Sequence, residues 1–114
     1  MILVLGGTSD SLEICDRINK YEDLPYTLSV TTSYGEDLAR KHAKNVITGK
    51  LTKEDMVRFI EKNNINKIID ATHPYAIEVS KNAIQCAKEL NIDYLRYERK
   101  SLIEDISYEN KYIV

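Results

Sequence analysis

The first apolar run, Ile2-Leu3-Val4-Leu5, has no polar position inside it and is broken at once by Gly6-Gly7. A short, bounded, wholly apolar run predicts a strand buried on both faces. Ser9 or Asp10 then suits a helix start, and Leu12, Cys15 and Ile18 follow as an apolar stripe. After Pro25, residues 26–32 (YTLSVTT) are rich in β-branched and aromatic side chains and predict a second strand. A mostly polar helix is expected over 34–44 and a minimal strand over 45–47, closed by Gly49. Thr52 followed by Lys-Glu-Asp55 is an imperfect capping box opening a helix whose inner face is Met56, Phe59 and Ile60. Residues 67–71 read as a fourth strand. Residues 75–90 carry Ala76, Val79, Ala83, Cys86, Ala87 and Leu90 on one helical stripe. Asn91 marks the stop, and a fifth strand is expected over 94–97.

Strands alternating with helices need crossover connections, and these make the sheet mainly parallel. The expected fold is therefore α/β: a Rossmann-like, doubly wound sheet of about five strands with helices on its flanks. Residues 1–100 form this lobe. The apolar ending Tyr112-Ile113-Val114 makes 101–114 either a linker or the start of a second lobe that is missing, with a last edge strand as the alternative.

Composition narrows the function. With 16 Lys plus Arg against 18 Asp plus Glu the net charge is −2, which disfavours a nucleic-acid binder. The opening apolar run is too short for a signal sequence or a membrane span, so the expected location is cytoplasmic. Cys15 and Cys86 then read as reduced, buried small hydrophobes. No CxxC spacing occurs and His42 and His73 are far apart in the chain, so no metal site is expected.

Ligands of open α/β sheets bind at the carboxyl ends of strands, where a helix start offers unpaired amides. Gly6-Gly7-Thr8-Ser9 lies at such a place. Its glycines admit a pyrophosphate and Thr8, Ser9 and Ser11 add hydroxyls; a plain tight turn is the alternative. The second strand ends Thr31-Thr32-Ser33 with no carboxylate before Glu36. That absence favours NADP(H) over NAD(H), with Arg40 or Lys41 within possible reach of a 2′-phosphate. Thr72-His73-Pro74-Tyr75 stands at another strand-to-helix junction, with Pro74 expected at the first helical position. His73 there either hydrogen-bonds a carboxylate or relays a proton, or is simply a half-exposed turn residue. Arg96 and Arg99 end the fifth strand. They either receive an anionic substrate or form a surface pair, Arg96 with Glu98.

With GGTSDS, SVTTSYG, GKL, DATHPYA and YLRYERK in this order, the chain resembles the precorrin-6A reductase and cobalt-precorrin-6A reductase family of cobalamin biosynthesis, from residue 3 to about residue 100. The resemblance implies hydride transfer from a reduced nicotinamide nucleotide to one ring double bond of a tetrapyrrole-derived macrocycle, in a cleft between two lobes. Carried over, Gly6, Gly7, Thr8 and Ser9 would line the cofactor phosphates, with Thr31, Thr32 and Ser33 near the adenosine. Thr72, His73, Pro74 and Tyr75 would line the cleft, and Arg96 and Arg99 would meet the macrocycle carboxylates. Two departures stand out. Asp10-Ser11 replaces the Glu-Gly often found in the family's turn, which makes close approach of the first helix less assured. Family members are also about twice as long, so these 114 residues alone are expected to show no reductase activity. A non-catalytic nucleotide-binding or regulatory module on the same α/β layer is the alternative. A short-chain dehydrogenase is disfavoured, because no Tyr-x-x-x-Lys pair stands where that chemistry needs it.

Overall fold

The apolar run at the N-terminus becomes the central strand because it has no face that water could occupy. In the computed structural model, which describes residues 1–22 and 24–97, β1 (Ile2–Leu5) is buried at every position. β2 (Tyr26–Val30) flanks it on one side and β4 (Lys67–Asp70) on the other, both parallel to it. β3 (Val46–Thr48) and β5 (Asp93–Arg96) complete the order β3-β2-β1-β4-β5. The expected parallel, doubly wound sheet of five strands is what forms.

Side chains alternate between the two faces of each strand. Ile2 and Val4 pack with Leu28, Val30, Cys15, Ile18 and Ala39 beneath α1 (Ser9–Arg17) and α2 (Ser33–Ala39). Leu3 and Leu5 pack with Ile68, Met56, Ile60, Ala83 and Cys86 beneath α3 (Lys53–Lys62) and α4 (Ile77–Leu90). Each fully buried aliphatic side chain contributes on the order of 1.5–3 kcal/mol, so these two layers carry the stability. Both cysteines are free and buried. Burial raises the Cys15 thiol to about 11, which leaves it an inert packing group.

The ends of the helices correct several expectations. α1 is capped by Thr8, not Ser9 or Asp10: Thr8 Oγ1 accepts the Ser11 amide at 3.1 Å, and Ser11 Oγ accepts the Thr8 amide at 3.3 Å. On the inner stripe Cys15 and Ile18 are buried as expected, but Ser11 is fully buried and Leu12 only partly. β2 stops at Val30, because Thr32 leaves the ladder to cap α2 by accepting the Gly35 amide at 3.0 Å. The Thr52–Asp55 capping box forms as read. Pro74 is not the first residue of α4. Residues 73–76 close a turn in which the Ala76 amide donates to the His73 carbonyl at 2.9 Å, and the helix starts at Ile77. Asn91 ends it in the left-handed conformation, φ 55°, which Asn tolerates better than most residues. A π-helical turn over Ile18–Glu22 extends α1 and was not expected.

Candidate functional site

The strand order reverses between β1 and β4. Sheets of this type bind ligands at the carboxyl ends of the strands on either side of such a point. A cleft of about 650 Å³ lies there, with Gly6 and Gly7 after β1 on one wall and Thr72, His73 and Tyr75 after β4 on the other. Ser29 of β2 and Thr31 just after it, with Gly49-Lys50-Leu51 after β3, close the third side. The turn after β1 and the turn after β4 are thus brought together as expected.

The two glycines do different work. A Cβ on Gly6 would meet Leu28 Cδ1 at 2.7 Å and Ser11 Oγ at 2.9 Å, so this glycine lets α1 lie against the sheet. Ser11 therefore does not prevent the close approach that the departure from Glu-Gly had put in doubt. Gly7 has φ +99°, and a Cβ there would meet nothing within 4 Å. It takes a conformation that side chains disfavour, beside open space.

The hydroxyls around the turn are less available than their spacing suggests. Thr8 Oγ1 donates to the Ala71 carbonyl at 2.7 Å, tying the first turn to the end of β4, while Ser11 Oγ donates to the Thr8 carbonyl at 2.6 Å. Both are committed to structure. Ser9 is exposed on the first turn of α1, Thr31 lines the cleft, and Thr32 and Ser33 are exposed where α2 begins. Arg40 and Lys41 do not approach this edge. α2 runs back against the strands and delivers Arg40 to the opposite end of the sheet, beside Met1 and Asn45, where it pairs with Glu36 at 2.6 Å.

Sequence reasoning missed the role of Asp70. Its carboxylate is fully buried beneath the turn that carries His73. Oδ1 accepts from the Thr72 amide (3.1 Å), Thr72 Oγ1 (2.7 Å) and Arg96 Nη1 (2.9 Å), and Oδ2 accepts from Ser80 Oγ and Tyr94 OH, both at 2.6 Å. Burial pushes this carboxyl upward, but the hydrogen bonds from Ser80, Tyr94 and Thr72 outweigh it and hold the acid below the ordinary aspartate value. The same burial and contact push the Tyr94 hydroxyl up to about 12. Arg96 also donates to Thr72 Oγ1 at 3.0 Å. Its Nη1 is thus engaged inside the protein and not held ready for an anion. Thr72, expected as a substrate contact, is likewise buried and bound to Asp70. Glu98 and Arg99 lie outside the described residues. The register itself held the signal: Asp70 pairs with Arg96 across β4 and β5, and Tyr94 shares its face.

His73 and Tyr75 are exposed on the rim. Their rings lie 4.8 Å apart, and His73 Nδ1 accepts the Tyr75 amide at 3.1 Å. A neutral His73 therefore carries its proton on Nε2. Pro74 is exposed in the same turn. Tyr75 and Ile77 give the rim an exposed apolar edge, 86% and 63% accessible.

Residues 1–113 match the family model described as precorrin-6x reductase CbiJ/CobK. The chain is 46% identical over 109 residues to a cobalt-precorrin-6A reductase of Methanocaldococcus jannaschii, covering 96% of this chain and 43% of that protein. It is 44% identical over 115 residues to the cobalt-precorrin-6A reductase of Priestia megaterium, covering 100% of this chain and 44% of that one. Among solved structures, a CobK precorrin-6A reductase superposes with TM-score 0.73 at 22% identity, over 86% of this chain and 37% of that chain. The chain spans less than half the length of these relatives.

Proposed function

Because the chain belongs to the precorrin-6x reductase CbiJ/CobK family, we propose that it forms the cofactor-side lobe of a reductase that saturates one ring double bond of a precorrin-6A or cobalt-precorrin-6A macrocycle. The observation that carries this reading is the cleft at the β1/β4 reversal, with an open glycine turn on one wall and the His73–Tyr75 turn on the other.

The residues present fit a nicotinamide dinucleotide. Gly7 lets backbone come up to a phosphate without a side chain in the way, and Ser9 adds an exposed hydroxyl beside it. Thr31, Thr32 and Ser33 offer hydroxyls and no carboxylate to the ribose, which agrees with a preference for NADP(H). Bound there, a reduced nicotinamide supplies the hydride, and the protein supplies orientation and exclusion of water. The exposed Tyr75 and Ile77 present an apolar rim to the macrocycle. His73, once it has taken a proton from solvent, gives one up from Nε2 to the neighbouring ring carbon and returns to the neutral form whose Nδ1 accepts the Tyr75 amide. Asp70 and Arg96 do not touch substrate in this scheme; they fix the turn that presents His73.

Titration of the 114-residue chain with NADPH and NADH, followed by nicotinamide fluorescence, tests the reading. Saturable binding below about 1 mM is expected, the upper end of ordinary Michaelis constants, without turnover of the macrocycle by this lobe alone. Absence of binding to either nucleotide would favour a regulatory module instead. In the complete enzyme, His73→Ala is expected to lower turnover about a hundredfold while leaving dinucleotide affinity unchanged. Normal turnover would remove His73 from proton delivery.

A further inference from the structure

Arg40 and Lys41 being at the far end of the sheet leaves the question of which cation meets an anionic ligand in the cleft. Among the described residues that line it, Lys50 is the one lysine or arginine and Glu78 the one carboxylate. Lys50 follows Gly49, whose φ of +121° turns the chain sharply at the end of β3 and whose amide donates to the Val30 carbonyl at 2.9 Å. That bond fixes the loop beside Thr31. Glu78 stands on the first turn of α4, beyond β1 and β2 from the β3 edge. Lys50 Nζ lies 3.8 Å from Glu78 Oε2, so the two charged side chains of the lining meet.

We infer that Lys50 receives a phosphate group of the dinucleotide, and that Glu78 holds it within the cleft until the ligand displaces it; this rests on the dinucleotide reading above. The contact is long and both side chains are 75% exposed. An ion pair of that kind stabilises little and is easily exchanged. A phosphate offers the ammonium a doubly useful partner, with more charge and several acceptor oxygens. Glu78 meanwhile repels any anion entering the cleft, so its removal should help binding. Opposite signs at the two ends of one ion pair are the signature of the device. A merely structural pair would weaken binding, or leave it alone, from either end.

The test is the dissociation constant of NADPH and of NADH for the wild-type chain and for Lys50→Met, Glu78→Gln and Lys62→Met, the last at the other end of α3. Lys50→Met is expected to weaken binding about tenfold or more, the scale of one charge-assisted hydrogen bond. Glu78→Gln should tighten it about twofold, and Lys62→Met should change nothing. A loss confined to NADPH assigns the 2′-phosphate, and an equal loss for both nucleotides assigns the diphosphate. Wild-type affinity in Lys50→Met overturns the inference while leaving the dinucleotide reading intact. So does an equal loss in Lys62→Met, or weaker binding in Glu78→Gln. If the wild-type chain binds neither nucleotide, the reading fails and this inference with it.

Discussion

Asp70→Ala is expected to lower the unfolding free energy of the chain by about 3 kcal/mol, the lower end of the range for removing one partner of a buried ion pair. The aspartate is fully buried, whereas the Arg96 side chain keeps 26% of its surface in water, which tempers the loss. The cost has two parts. Arg96 loses the Asp70 charge, and the Ser80, Tyr94 and Thr72 donors lose their acceptor in a site that offers water little access. Asp70→Asn keeps the shape but turns an amide hydrogen toward those donors, so it should recover little. The pH dependence has a definite sign. The folded carboxyl titrates below its ordinary value near 3.8, so its contribution is full above that value and is lost as pH falls through the folded one. Urea unfolding should therefore show a constant gap between wild type and Asp70→Asn from about pH 5 to 8, closing below about pH 4. A gap unchanged at pH 3 would mean the carboxylate charge is not what stabilises. At the other limb, the Tyr94 hydroxyl is raised to about 12; its contribution is full below about 10 and is lost as pH climbs past that value.

Gly6→Ala and Gly7→Ala should fail in different ways although the residues are neighbours. At position 6 the new methyl meets Leu28 and Ser11, both fully buried and unable to swing aside. Overpacking of that kind costs about 1–3 kcal/mol, or roughly 4–8 °C of melting temperature per kcal/mol for a chain near this length. At position 7 the methyl meets nothing, and the penalty is about 1–2 kcal/mol for a side chain in a left-handed conformation. Its larger effect is on ligand, because the methyl stands where backbone must approach a phosphate. Dinucleotide affinity should fall about tenfold or more. Calorimetric melting and binding titrations on the two variants separate these outcomes. Equal binding losses at both positions would contradict the division of labour between packing and cradle.

Much of this was legible in the residue pattern because local physics decided it. A strand such as Ile2–Leu5 has no polar face and must be central, and Thr52–Asp55 announces its helix with its own side chains. The stripe of Ala83, Cys86 and Ala87 likewise has one place to go. Less legible were features decided by which segments meet. Asp70, Ser80 and Arg96 come from β4, α4 and β5, and no sequence period joins them; the β4–β5 register brings Asp70 to Arg96, and the packing of α4 adds Ser80. The Thr8 cap was hidden because serine, not glutamate, stands at the third helical position. Helix direction, not spacing, removed Arg40 and Lys41 from the cleft and left Lys50 there. Proline at 74 looked like a helix start, but the turn that closes on the His73 carbonyl delays the helix to Ile77.

The dinucleotide is proposed to take the strand-end cleft and no other described surface. Amide chemical-shift mapping of the isotopically labelled chain during NADPH titration tests it most directly. Saturable shifts are predicted at Gly6, Gly7, Thr31, Lys50 and His73, with Met1, Leu24, Asn66 and Asp93 in the groove at the opposite edge unmoved. Shifts gathered in that opposite groove, or none at the glycine pair at saturating nucleotide, would contradict it.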